Sequence, residues 1–208
     1  ETDFFEILEI RLESKITLKG GITSNPVKGF YDESLIYGVI TPRIIVWQNS
    51  ELHTTKESNI TFKEIDQTTI PNPSPGIGWF VGLSIENTSS LFTQGTNIHF
   101  EKLITDSNLK LIFGIFIMSS DTVETRVHFK DSLISFDNLV KSFGIYNLVY
   151  EKNNLLIEDS EIFINNITEG RGLFFKSFKE PVETHKLKIK NSTITVNEAT
   201  FTTENSGN

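Results

Sequence analysis

Val127 to Gly144 reads VHFKDSLISFDNLVKSFG, and close copies of it lie on both sides. IHFEKLITDSNLKLIFG (98–114) precedes it, and LLIEDSEIFINNITEGRG (155–172) follows. A further copy, LKIKNSTITVNEATF, covers 187–201. Aligned on their first apolar residues (Ile98, Val127, Leu155 and Leu187), the copies repeat at intervals of 29, 28 and 32 residues. The aligned columns keep their chemistry. Phe100, Phe129, Ile157 and Ile189 share one, and Leu103, Ser132, Ser160 and Ser192 share another. Two further columns hold Ile134 with Ile162 and Ile194, and Phe136 with Ile164 and Val196. Asn108, Asp137, Asn165 and Asn197 share the next, and Gly114, Gly144 and Gly172 close the complete units. Apolar residues at alternate positions predict half-buried strands, and the small polar clusters between them predict bends.

A period near 29 residues, with short strands and no helical pattern, predicts a solenoid. These repeats resemble the coils of the right-handed parallel β-helix, the pectate-lyase-like superfamily. The resemblance covers 98–201 best and 1–97 more loosely. It implies an all-β chain of about six to seven coils in which like residues stack in ladders. Stacked Asn side chains bond to each other along the axis and tolerate left-handed backbone at a bend. The third column, Glu101, Lys130, Glu158 and Lys190, alternates in charge from copy to copy. At a strand spacing of about 4.8 Å, each charge would sit between opposite ones, so that a slipped register is penalised. One outward row of these four residues is the expectation.

Along the rest of the chain, 1–15 reads as an N-terminal cap strand, with a short amphipathic helix as the rival. Ile16 and Ile45 would each begin a coil, and glycine strands recur at Gly38 and Gly82. Pro71, Pro73 and Pro75 cannot lie in a central strand, so 66–78 reads as a protruding loop. Residues 176–185 read as a smaller insertion. No linker divides the chain, and 1–208 is expected to be one domain.

Composition excludes several classes of function. The 208 residues carry a net charge of −8, a pI near 5.1, seventeen Phe and no Cys. No basic run offers a surface to nucleic acid or anionic membrane. The longest apolar run, Leu109 to Met118, is too short to span a bilayer. Without Cys there is no disulfide, thiol nucleophile or Cys-ligated zinc. Four sequons, at Asn59, Asn87, Asn166 and Asn191, are candidate N-glycosylation acceptors and favour a cell-surface or extracellular protein. The start at Glu1 reads as a mature or trimmed fragment.

Candidate chemistry is sparse, and no cofactor or metal site is expected. His99 and His128 fall in one column and would point outward side by side, as a pH-sensitive or metal-binding step or as plain ladder residues. Asp131 and Asp159 share a column bracketed by Lys102 and Asn191. The resemblance implies that lyases and hydrolases of this fold use such carboxylates as acid, base or Ca²⁺ ligands, whereas bends favour Asp and Asn structurally. The serine column suits inward packing at a bend better than nucleophiles. Trp47, Trp79 and Tyr146 suit core or end-cap positions better than a sugar platform. Gly76, Gly78, Gly170 and Gly172 read as turn glycines.

The reading favoured is an extracellular structural or adhesive β-helix, part of a filament, stalk or adhesin. Its expected partner is protein, through self-association or continuation at the coil from Leu187, with a glycan as a second candidate partner. A polysaccharide-active enzyme centred on Asp131 and Asp159 is the alternative. A glycan-binding β-sandwich fits the regular spacing less well.

Overall fold

The computed structural model describes residues 2–5, 8–10, 15–19, 21–24, 27–28, 40–66, 68, 78–86, 88–106, 110–119, 124–149, 153–177 and 185–200. Among them every regular element is a strand. β1 (Thr2–Phe5), β2 (Leu8–Ile10), β3 (Lys15–Leu18), β4 (Gly21–Ser24) and β5 (Val27–Lys28) come first. β6 (Ile40–Val46), β7 (Glu51–Thr54), β8 (Asn59–Asp66), β9 (Gly78–Glu86) and β10 (Ser90–Gln94) follow. Next are β11 (Asn97–Ile104), β12 (Lys110–Met118), β13 (Thr125–Lys130), β14 (Leu133–Val140) and β15 (Phe143–Val149). The last are β16 (Asn153–Glu158), β17 (Glu161–Thr168), β18 (Arg171–Ser177), β19 (His185–Lys190) and β20 (Thr193–Thr200).

All described pairings are parallel and build three sheets. Sheet 1 stacks β3, β7, β10, β13, β16 and β19. Sheet 2 stacks β1, β4, β8, β11, β14, β17 and β20, with β5 also on β8. Sheet 3 stacks β2, β6, β9, β12, β15 and β18. From β8 to β19 the chain makes four successive turns through sheets 2, 3 and 1. The architecture is a parallel β-solenoid, as the repeat predicts.

Alternation explains the core. In β14, Ile134 and Phe136 face inward, and inward packing resumes at Leu139 rather than at 138. Asp137 and Asn138 therefore both lie outside the core, at a bend. Asn138 takes the left-handed backbone there (φ 57°), as do Asn166 (54°) and Glu198 (53°) in the next two coils. Asp137, Asn165 and Asn197 form the expected side-chain ladder beside it, with Nδ2 of each Asn donating to the preceding Oδ1 at 2.7 and 2.9 Å. The serine column is a second ladder. Ser160 Oγ accepts from the Ser132 amide at 3.0 Å, and Ser192 Oγ from the Ser160 amide at 3.1 Å.

Inside sheet 2, Phe62, Phe100 and Phe136 stack at centroid distances of 4.5 and 4.8 Å, nearly coplanar. Sheet 3 faces them with the glycine row Gly82, Gly114, Gly144 and Gly172. A Cβ at Gly114 would lie 2.5 Å from Phe136 Cε1 and 2.8 Å from the Gly144 carbonyl oxygen. The rings fill the space that the glycines leave open. Gly172 is thus a strand glycine, not a turn glycine, and Gly78 begins β9.

The first copy of the repeat, however, is displaced by a whole strand. Val127 pairs with Leu91, not Ile98, and Ile98 pairs with Ile134 in sheet 2. The serine-row residue of that coil is Thr96, 36 residues before Ser132, not Leu103. Leu103 lies inward in sheet 2 opposite Leu139. Only the intervals of 28 and 32 residues between later coils stand as read. Likewise Ile16 pairs with Leu52 in sheet 1, while Ile45 lies in sheet 3 opposite Ser84. β1, β2 and β3 lie in three different sheets, so the N-terminal segment follows the path of a coil rather than forming one capping strand. Lys176 and Ser177 belong to β18 and His185 to β19, so the second insertion is confined to 178–184, outside the described residues. Gly38, Asn108, the three loop prolines and Gly76 also lie outside the described residues.

Candidate functional site

The residues singled out from the sequence fall on the outer faces of sheets 1 and 2 and at the corner joining them. On sheet 1, Lys130, Glu158 and Lys190 are in register and form one outward row. Glu101 is not part of it. Gln94 holds that place, and Glu101 sits on sheet 2, where Lys63 Nζ reaches its carboxylate at 2.8 Å. Glu158 accepts from Lys190 Nζ at 3.2 Å and lies 3.3 Å from His128 Nε2. The Lys190 bond, seconded by His128, holds the Glu158 carboxyl below the ordinary carboxylate range. Two coils earlier, Glu51 contacts His53 at 2.8 Å and Lys15 at 3.0 Å, and its carboxyl is held low by the same kind of bonds.

His99 and His128 are not neighbours. His128 lies between Phe92 and Leu156 on sheet 1, and His99 between Thr61 and Ser135 on sheet 2. His99 Nδ1 is 2.7 Å from Ser135 Oγ, and Nε2 is 3.7 Å from Asp137. The column that put the two together came from the displaced copy. Lys102 leaves the aspartate row for the same reason. It pairs with Glu64 and Asp66 on sheet 2, and the Glu64 bond raises its pKa.

Asp131, Asp159 and Asn191 do form a row, at the corner between sheets 1 and 2. All three are exposed and left-handed, with φ of 47°, 49° and 45°. Gly95 (φ 59°) holds the position before them. The amides of Asp131 and Asp159 donate to the carbonyls of Glu158 and Lys190 at 3.1 and 3.0 Å. These are bend geometries that Asp and Asn adopt at little cost. No group of three or more His, Cys, Asp or Glu placed to hold a metal occurs among the described residues. Of the sequons, Asn59 accepts from Asn97 Nδ2 at 2.9 Å, Asn166 donates to Asn138 at 3.2 Å, and Asn191 is an exposed corner. Asn87 lies outside the described residues.

Two features escaped the sequence reading. The outer face of sheet 3 is apolar as well: Phe113 and Phe116 are fully buried, and Tyr146 packs against both, with Phe143 and Phe174 beside it. Arg171 lies over the Phe174 ring at 4.6 Å. The signal was the run LIFGIFIM (111–118), apolar at both parities. Tyr146 belongs to this outer cluster rather than to the core or an end cap. On the same face Glu86 is buried, bonded by Ser84 Oγ, and burial pushes its carboxyl up. A cavity of about 270 Å³ is lined by Asn147, Val149, Asn153, Phe175, Lys176, Lys186 and Leu187.

No family model matches the chain, and comparison with curated proteins and with solved structures finds no match either.

Proposed function

We propose that this chain is an extracellular or cell-surface structural module, a segment of a filament, stalk or adhesin, rather than a polysaccharide-degrading enzyme. The right-handed winding and pectate-lyase-like kinship implied by the ladders belong to the same proposal. One observation carries it. On sheets 1 and 2 the outward polar side chains bond mainly to their own counterparts in neighbouring coils: Asp137 to Asn165 to Asn197, Asn59 to Asn97, and Glu158 to Lys190. Groups committed to such ladders stiffen a rod. Asp131 and Asp159, the pair an enzyme would need, sit at left-handed corners without His128 or His99 in their row. The partner is protein, met at the coil built by β18, β19 and β20, and glycans on Asn59, Asn166 or Asn191 would project from exposed positions.

Antibodies against the folded chain should label intact, unpermeabilised source cells. Labelling only after permeabilisation would overturn the location. Incubation with acidic and neutral polysaccharides should release no new reducing ends or unsaturated products. Cleavage abolished by Asp131→Ala or Asp159→Ala, with folding kept, would overturn the class.

A further inference from the structure

One inward position of sheet 1 runs through the stack as Ile16, Leu52, Leu91, Val127, Leu155 and Leu187. Its middle is sealed, but Ile16 is 36% and Leu187 46% exposed. At the Leu187 end, Ile189 (46%), Val196 (51%) and Phe175 (41%) extend the open face over all three sheets. Among the described residues β18, β19 and β20 are each hydrogen-bonded to a strand on one side only. Such a face presents both unpaired backbone groups and uncovered apolar side chains to a partner strand.

A second copy stacked head to tail would set Leu187 on Ile16 and continue the ladder, but the outward charges oppose it. The outward residues of β19 are Lys186, Lys188 and Lys190, while β3 offers Lys15 and Thr17 and is followed by Lys19. In that register Lys186 would lie against Lys15. Two copies meeting through their β19 edges would also set lysine against lysine. Like charges directly opposite destabilise a strand pair, and edge lysines discourage self-pairing. Lys190 is already bonded to Glu158, but Lys186 and Lys188 have no ion-pair partner among the described residues.

We infer that the face formed by β18, β19 and β20 docks an extended protein segment in parallel register, apolar at its inward positions and acidic at the outward positions facing Lys186 and Lys188. Backbone pairing along the edge would supply affinity, and the alternating side chains would supply choice of partner. This inference rests on the structural reading of the chain, because it makes the open face a joint.

The test uses two fluorescent peptides spanning residues 185–200. One carries K186E, K188E and K190E, and the other keeps the chain's own lysines. Their binding to the full chain is followed by anisotropy. The acidic peptide should bind about tenfold more tightly, and the margin should shrink as salt rises. In the full-chain variant Lys186→Glu/Lys188→Glu the preference should reverse. Both side chains are exposed, so this variant keeps its core. Equal binding of the two peptides, or no binding of the acidic one, overturns the inference. So does concentration-dependent self-association of the unmodified chain in analytical ultracentrifugation, which would make a second copy the occupant. A polysaccharide-cleaving activity would instead remove the structural reading and leave the peptide result standing.

Discussion

At the scale of single residues, glycines and one carboxylate set the tightest conditions. Gly114 has no room for a methyl group, because Phe136 blocks it from one side and the Gly144 carbonyl from the other. Gly114→Ala should cost about 2–3 kcal/mol, the usual penalty for overfilling a packed site. Adding Phe136→Leu should recover only part of that loss, since the carbonyl contact belongs to the backbone. Denaturant unfolding of the single and double variants checks both expectations. Glu86 works in the opposite sense to Glu51 and Glu158. Burial raises its pKa, so its protonated form favours the folded state, and that stabilisation is lost as pH rises through the folded value. Glu86→Gln should therefore leave stability almost unchanged near pH 4 and raise it at pH 8. A variant no more stable than the parent at pH 8 would mean that the carboxylate is compensated where it lies.

At the scale of the strand and its corner, hydroxyl ladders replace the disulfides that this chain lacks. Ser160 is buried; its hydroxyl accepts from the Ser132 amide and donates to the Glu158 carbonyl at 2.7 Å. Ser160→Ala leaves that buried amide without its acceptor and should cost about 1–3 kcal/mol. Ser192→Ala, at a half-exposed position, should cost less, because water can replace the hydroxyl. The same corners explain what the sequence disclosed and what it hid. In the coil from Val127 to Gly144 three strands follow one another with minimal corners, so its match to the 155–172 coil was legible residue by residue. The preceding coil is longer, and each coil passes through two consecutive strands of the same character, in sheets 1 and 2. Sliding the alignment by one strand sets Ile98 where Leu91 belongs and still matches apolar to apolar. The false interval of 29 residues arose in this way and carried Glu101, His99 and Lys102 into rows they do not occupy. Asp131 and Asp159 survived because their coils are regular. Glu86 and the outer aromatic cluster were hidden for another reason: periodicity reports which residues alternate, not whether a sheet is covered on both faces.

At the scale of the whole molecule, stability should vary along the axis, because a coil in a solenoid touches only its neighbours. The continuous core runs from Ile44 to Ile167, and of β19 and β20 only Ile194 packs against it, partly buried. The half-exposed apolar residues of those strands therefore contribute less than the roughly 1.5–3 kcal/mol of a fully buried aliphatic side chain. A chain ending at Ser177 should fold, with the same β-sheet dichroism and a lower thermal midpoint. Amide protection in β11 and β14 should be kept, while β16 and β17 lose protection as their new edges open. Phe100→Ala, by contrast, removes the middle ring of the stack between Phe62 and Phe136. It should cost about 3–5 kcal/mol and lower protection in β8, β11 and β14 together. Hydrogen exchange on the two variants separates a stack of coils joined by neighbour contacts from a single all-or-none core. If removal of residues 178–208 unfolds β11 and β14 as completely as Phe100→Ala does, the coils are not locally coupled. The open face at β18 to β20 would then be part of what holds the fold together rather than a joint waiting for a partner.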